Sequence, residues 1–194
     1  MPGTRLKVRQ MKPRTSATHP LQIAHVDAAT GARIGGRIGM TFCPGKRDLN
    51  AKTGAWERDL GSDLQTIANW GGSTLVTLME DHELDLLAVP ELGRRTASLG
   101  MAWFHLPIRD VSIPDAAFEA AWQGEGQALR KRLTAGQDIV VHCRGGLGRT
   151  GLVAARLLIE LGESPTVALN RVRAARPGAV ETAEQETYVL GVIA

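Results

Sequence analysis

Cys143 and Arg149 stand at the two ends of a short loop whose residue types suit nucleophilic chemistry on an anion. Residues 142–151 read HCRGGLGRTG. The glycines let the backbone curl so that consecutive N–H groups point inward, where they would hold the oxygens of a tetrahedral anion. Arg149 would add a planar fork that binds two such oxygens at once. The loop therefore predicts a cysteine held beneath a bound anion.

A predicted strand precedes this loop and a predicted helix follows it. Residues 138–141 are short, β-branched and apolar, and residues 151–161 are apolar on nearly every face, as core elements are. The loop thus ends at a helix N-terminus, where unpaired N–H groups and the helix dipole attract anions. The same field favours the thiolate form of Cys143 at neutral pH. Thr150 could donate a hydrogen bond to the sulfur and help it leave when a covalent intermediate breaks down.

Strands and helices alternate along the rest of the chain. The predicted strands cover residues 38–42, 74–79 and 101–106. The predicted helices cover residues 59–70, 83–89, a short segment ending near Gly100, residues 114–133, and a segment that Ser164-Pro165 begins. The alternation predicts a single α/β domain with a central, mostly parallel sheet flanked by helices. Because ligands gather at the carboxyl ends of such strands, the loop after Leu106 should meet the loop after Val141.

A phosphate ester also needs a proton on its leaving oxygen, which a nearby carboxylic acid can supply. Asp110 and Asp115 are the candidates, because both follow the strand that ends at Leu106. Asp110 lies before the long helix in a segment able to move. Asp115 follows Pro114, where an acid in a first helical turn is usually a dipole or cap partner. We therefore expect Asp110 to be the acid, with Asp115 as its rival.

Several short motifs accompany the loop of residues 142–151. They are Phe42–Gly45, His105–Asp110, Pro114-Asp115, Gly178–Thr182 and Gln185. The loop itself looks like the signature loop of cysteine-dependent protein tyrosine and dual-specificity phosphatases. Taken together, roughly residues 19–194 resemble the kinase-associated phosphatase (cyclin-dependent kinase inhibitor) family of dual-specificity enzymes.

The resemblance implies hydrolysis of phosphotyrosine, and of phosphoserine or phosphothreonine, in proteins through a cysteinyl-phosphate intermediate. Cys143 would attack phosphorus, and Asp110 would protonate the leaving group. The phosphate would be held by the loop residues Arg144, Gly145, Gly146, Leu147, Gly148 and Arg149. No cofactor is expected, because the loop already supplies charge stabilisation. The resemblance also implies a phosphorylated protein as partner, for example a kinase.

Two further residues are expected to support the chemistry. His142 should orient the loop by hydrogen bonding rather than carry a proton. In phosphatases of this type a glutamine positions the hydrolytic water, but here Glu181 stands at the first matching position. Gln185 could serve instead, or it could form a capping box with Thr182 at the start of the last helix.

Composition and charge restrict the remaining possibilities. A chain of 194 residues suits one domain with a substantial core, which we place at residues 20–194 after a basic, disordered arm at residues 1–19. Five of the 23 basic residues lie in that arm, which leaves 18 basic against 20 acidic residues, so the net charge of +3 does not indicate nucleic-acid binding. With two cysteines, no long apolar stretch and no metal-ligand spacing, we expect a cytoplasmic protein without disulfides, membrane contact or metal.

The substrate is less sharply predicted than the chemistry. Tyr188 is the single tyrosine, so the chain lacks the tyrosine-bearing loop of deep phosphotyrosine pockets and should have a shallower cleft. A phosphoinositide or other small-molecule phosphatase is one alternative, and a catalytically weak phosphoprotein-binding module is another. A rhodanese-like sulfurtransferase or an arsenate reductase also stays open, with Cys43 as the resolving thiol. The sequence does not predict the oligomeric state.

Overall fold

A five-stranded sheet forms the centre of the computed structural model, which describes residues 12–28, 35–51 and 54–193. The strands in chain order are β1 (Ala24–Asp27), β2 (Arg37–Phe42), β3 (Arg47–Asp48), β4 (Trp56–Glu57), β5 (Gly72–Thr77), β6 (Ala102–His105) and β7 (Asp138–Cys143). The central sheet has the order β1-β2-β7-β5-β6, and only the β1–β2 pair is antiparallel. Strands β3 and β4 form a separate antiparallel ribbon.

Helices cover both faces of the sheet, so the predicted α/β domain with a mostly parallel sheet is confirmed. The helices are α1 (Leu60–Trp70), α2 (Asp81–Leu86), α3 (Leu92–Ser98), α4 (Ala116–Thr134), α5 (Gly148–Glu160), α6 (Pro165–Ala175) and α7 (Ala183–Leu190). Helix α5 begins at Gly148, three residues before the predicted start, because the last residues of the glycine-rich loop already have helical geometry. None of the helices in the described part of the chain is long and apolar enough to cross a membrane.

Strand β7 lies in the middle of the sheet and is buried on both sides. Ile139, Val140 and Val141 are fully buried, and α5 behind them is buried from Gly148 to Ile159. A strand covered on both faces reads as a continuous apolar run, which is the pattern that residues 138–141 show. The central position of β7 places its last residue, Cys143, at the middle of the carboxyl edge of the sheet.

The second half of the predicted basic arm contacts the domain. Residues 1–11 lie outside the described residues, whereas the backbone N–H of Arg14 donates to Ala55 at 2.9 Å. The Arg14 guanidinium lies 5.1 Å from the centre of the Trp56 ring, a cation–π distance. Ser16 Oγ accepts from the backbone N–H of Asp59 at 3.0 Å. These contacts are non-local, which is why composition alone predicts a solvated arm for residues 12–19.

A buried ion pair fixes the entry to α1. Arg58 Nε donates to Asp63 Oδ2 at 2.7 Å, and a second guanidinium nitrogen donates to Oδ1 at 2.8 Å. Both side chains are almost fully buried. Asp63 Oδ2 also accepts from the backbone N–H of Gly45 at 2.8 Å, so the pair ties α1 to the segment that follows β2.

Asp63→Asn should lower the free energy of unfolding by about 3 kcal/mol, because the Arg58 charge would stay buried without its carboxylate. Urea unfolding followed by circular dichroism measures this change. Glu125→Gln, on the exposed side of α4, removes the same charge and should alter stability by less than about 0.5 kcal/mol. Equal effects of the two substitutions would contradict a structural role for the pair.

Candidate active site

The loop between β7 and α5 wraps around the sulfur of Cys143. The backbone N–H of Gly146 donates to Cys143 Sγ at 3.2 Å. Gly146 has a φ of 72°, and a Cβ at this position would lie 2.3 Å from the carbonyl oxygen of Thr41. Only glycine therefore lets the loop fold back against β2 and still direct an N–H at the sulfur. Cys143 is 3% exposed, at the base of the loop.

Arg149, in the first turn of α5, is the most heavily bonded side chain of the site. Its two terminal nitrogens donate to the two carboxylate oxygens of Glu83, at 2.6 and 2.9 Å. One nitrogen also donates to the carbonyl oxygen of Ile108 at 3.0 Å, and the other to Asp110 Oδ1 at 2.7 Å. Burial is the largest single influence and would lower the pKa of Arg149, but the hydrogen bonds to Glu83 and the charges of Cys143, Glu83 and Asp110 together raise that pKa. The guanidinium is thus a fixed positive charge beside the loop.

Glu83 is a site residue that sequence reasoning missed. Its side chain is 4% exposed, lies on α2 and makes the bidentate pair with Arg149. Burial is the largest single influence and would raise the pKa of this carboxyl, but the hydrogen bond and the charge of Arg149, together with the N–H of Glu80 and the charge of His82, lower it. Topology could have identified Glu83 from the sequence. Helix α2 follows β5, which is parallel to β7, so α2 begins at the same edge of the sheet as the cysteine loop.

The two candidate acids have different surroundings. Asp110 is half exposed and contacts Arg149. Asp115 is the N-cap of α4, where its Oδ1 accepts from the backbone N–H of Phe118 at 2.8 Å. The residue after Asp110, Val111, has a φ of 57°, a left-handed conformation that is strained for a β-branched side chain. The geometry thus brings Asp110 to the loop and engages Asp115 in helix capping.

Glu181 and Gln185 lie on the opposite side of the loop. Glu181 Oε2 accepts from the backbone N–H of Gly148 at 2.8 Å. Gln185 is buried, and its amide bridges two segments: Oε1 accepts from the N–H of Glu181 at 3.0 Å, and Nε2 donates to the carbonyl of Ser112 at 3.1 Å. Thr182 caps α7 by accepting from the N–H of Gln185 at 3.1 Å. The capping box is therefore half formed, since the Gln185 side chain reaches Glu181 and not Thr182.

His142 is fully buried behind the loop. Its Nε2 lies 2.8 Å from Thr77 Oγ1, which also accepts from Trp103 Nε1 at 2.9 Å. Burial lowers the pKa of His142 to about 3, so the imidazole is neutral at physiological pH. Thr150 Oγ1 is buried too, and it has no hydrogen-bond partner within the described ranges.

Arg176, just after α6, holds the loop from outside, and sequence reasoning also missed it. Its guanidinium donates to the carbonyl oxygens of Gly146 and Gly145, the latter at 3.3 Å. Carbonyls that are held outward leave the N–H groups of the same peptides directed inward. Burial lowers the pKa of Arg176, while the nearby Cys143 acts in the opposite direction.

The loop opens into a cleft of about 500 Å³. Residues that line it include Lys46, Asp48, Asp110, Arg144, Gly145 and Glu181. The second cysteine, Cys43, is fully buried, and burial raises the pKa of its thiol. Across the described residues, no three His, Cys, Asp or Glu side chains are grouped to hold a metal ion. The charged groups that line the cleft are thus the cations of Lys46 and Arg144 and the carboxylates of Asp48, Asp110 and Glu181.

Comparison with known proteins gives consistent matches. The family model described as "Polymorphic toxin system, DSP-PTPase phosphatase" matches residues 53–163. Cyclin-dependent kinase inhibitor 3 of Rattus norvegicus is 31% identical over 155 residues, which cover 78% of this chain and 69% of that protein. Tyrosine-protein phosphatase CDC14 of Saccharomyces cerevisiae is 33% identical over 93 residues, which cover 47% of this chain and 16% of that protein.

A solved phosphatase structure also resembles this chain. The crystal structure of kinase associated phosphatase with serine in place of the catalytic site cysteine has a TM-score of 0.76 to this chain. The two are 26% identical, and the superposition covers 88% of this chain and 92% of that one. The fold, the cysteine loop and the sequence matches agree. The chain therefore belongs to the dual-specificity family of cysteine-dependent protein phosphatases, together with cyclin-dependent kinase inhibitor 3.

Proposed function

We propose that this phosphatase uses Cys143 as nucleophile, Asp110 as general acid and then base, and Arg149 with the loop backbone as phosphate holder. One contact carries this assignment, the 2.7 Å bond from Arg149 to Asp110 Oδ1. This bond links Asp110 to the guanidinium of Arg149, which lies in the first turn of the helix that follows the cysteine loop. The proximity of Asp110 and Arg149 to the Cys143 loop supports the three roles.

In the first step the Cys143 thiolate attacks phosphorus and the bond to the ester oxygen breaks. The loop N–H groups and Arg149 hold the non-bridging oxygens, whose charge they stabilise in the transition state. Asp110 gives its proton to the leaving oxygen. Phosphate oxygens and Asp110 compete for the same nitrogen of Arg149, so phosphate binding releases the half-exposed carboxyl toward the leaving group.

In the second step water attacks the phosphocysteine and the S–P bond breaks. Asp110, now a carboxylate, takes a proton from that water, and inorganic phosphate leaves. The N–H of Gly146 stabilises the departing thiolate. We assign a second hydrogen bond in this step to the buried hydroxyl of Thr150, which bonds neither Cys143 nor any other described residue before substrate binds. Neutral His142 keeps the strand end in place through Thr77 and takes no proton.

The charges around the cleft favour a phosphoprotein over a phosphoinositide. Lys46 and Arg144 are accompanied by the carboxylates of Asp48, Asp110 and Glu181, so a polyanionic headgroup would meet repulsion. Arg144 is already paired with Asp48 at 2.9 Å. Relatives named cyclin-dependent kinase inhibitor and kinase associated phosphatase suggest a phosphorylated kinase as one candidate substrate. We propose the cytoplasm as the location, because a reducing compartment suits a thiolate nucleophile.

Hydrolysis of an aryl phosphate by reduced protein, with chelator present, tests the catalytic assignment. Cys143→Ser should abolish turnover, because the serine hydroxyl is a far weaker nucleophile at neutral pH. Asp110→Asn should reduce kcat by about a hundredfold, the scale of general acid catalysis. Asp115→Asn is the matched control and should change kcat by no more than a few-fold.

Two outcomes would overturn this assignment. A normal rate for Asp110→Asn together with a large loss for Asp115→Asn would move the acid to Asp115. Tight phosphopeptide binding by the wild type without turnover of either the peptide or the aryl ester would identify a binding module instead.

Glu83→Gln should raise KM for the aryl phosphate and reduce kcat/KM by about tenfold to a hundredfold, since Arg149 would lose its bidentate carboxylate and its fixed geometry. Steady-state kinetics measures both parameters. Asp85→Asn, on the exposed side of the same helix, removes the same charge and should leave them unchanged. Wild-type kinetics for Glu83→Gln would show that Arg149 is positioned without Glu83.

A further inference from the structure

One donor of the phosphate loop is already occupied by a side chain of the protein. The first N–H groups of any α-helix lack an intrahelical acceptor, and in α5 these belong to Gly148, Arg149 and Thr150. The N–H of Gly148 donates to Glu181 Oε2 at 2.8 Å. A carboxylate thus sits where helix N-termini bind phosphate oxygens.

The backbone around Glu181 is held in place by hydrogen bonds to neighbouring segments. Val180 has a φ of 60°, strained for a β-branched residue, and its N–H donates to the carbonyl of Leu147 at 3.4 Å. Arg173 donates to the carbonyl of Val180 at 3.2 Å. The N–H of Glu181 donates to the buried side chain of Gln185. These backbone contacts therefore position the Glu181 carboxylate next to the N–H of Gly148.

The side chain of Glu181 is nevertheless free to leave the loop. The residue is exposed, so solvent is available when the carboxylate turns away. Glu181 forms no ion pair with any residue that the structure describes. Its contact with the loop is the bond to Gly148, which a stronger anion can replace.

A carboxylate and a phosphate dianion cannot share this donor without like-charge repulsion. We propose that Glu181 is an internal anion that competes with phosphate for the N–H of Gly148 and so weakens the binding of inorganic phosphate. The inference rests on the proposed function, because it takes the loop as the phosphate site. Its consequence for the reaction is easy release of the product, with little product inhibition.

Titration calorimetry of reduced protein with inorganic phosphate tests this proposal. Glu181→Gln keeps a hydrogen-bond acceptor but removes the charge, and phosphate should bind about tenfold more tightly, which corresponds to about 1.4 kcal/mol. Glu184→Gln removes the same charge from an exposed residue at the start of α7 and should bind phosphate as the wild type does. The inhibition constant of phosphate against the aryl ester should fall in parallel for Glu181→Gln only. Glu181→Ala is a second variant, which should also bind phosphate more tightly.

Equal phosphate affinity in wild type and both position-181 variants would overturn the proposal. Equal gains for Glu181→Gln and Glu184→Gln would also overturn it, because the effect would then be net charge alone. Absence of phosphate binding in every variant at millimolar concentration counts against it as well. Cys143-dependent hydrolysis with no response at position 181 would remove this inference and leave the proposed function intact. Tighter phosphate binding by Glu181→Gln without any hydrolysis would keep this inference and remove the proposed function.

Discussion

The buried ion pair between Arg149 and Glu83 is the interaction on which the rest of the site depends. It joins the first turn of α5, which follows β7, to α2, which follows β5, so two neighbouring strands deliver their ends to one point. A buried guanidinium without a carboxylate would be costly, and Glu83 removes that cost. The guanidinium also contacts the segment of residues 108–112, through the side chain of Asp110 and the carbonyl of Ile108.

The loop around Cys143 is held in place by contacts with β2 and with Arg176. Gly146 packs its backbone on the carbonyl of Thr41, and Arg176 holds the carbonyls of Gly145 and Gly146 away from the sulfur. With the carbonyls engaged outside, the N–H groups face the position of an anion. Apart from the N–H of Gly148, which donates to Glu181, these donors are oriented before any ligand arrives, which is the condition under which electrostatic stabilisation lowers a reaction barrier.

Local sequence signals predicted the strand, the loop and the helix of the site, because apolar runs and glycine spacing are properties of consecutive residues. Topology then placed Asp110 near the loop, since parallel strands end at one edge. Glu83 and Arg176 were not predicted, because their roles depend on packing between segments that are far apart in the chain. The short strands β1, β3 and β4 were also missed, since four or two residues carry too little periodicity. The start of α5 was placed late because glycines normally indicate a loop.

The side chain of Gln185 has a consequence for how this cleft can diversify. Its amide bridges the carbonyl of Ser112, which lies in the segment of residues 108–112, and the N–H of Glu181, which lies just before α7. These two segments form two walls of the cleft. The fixed length of this one amide therefore sets the distance between the two walls. Exchanging one wall for a bulkier or more open version would break that bridge and leave a buried amide unsatisfied. Evolution or engineering toward a differently shaped substrate would therefore have to change both walls and position 185 in concert.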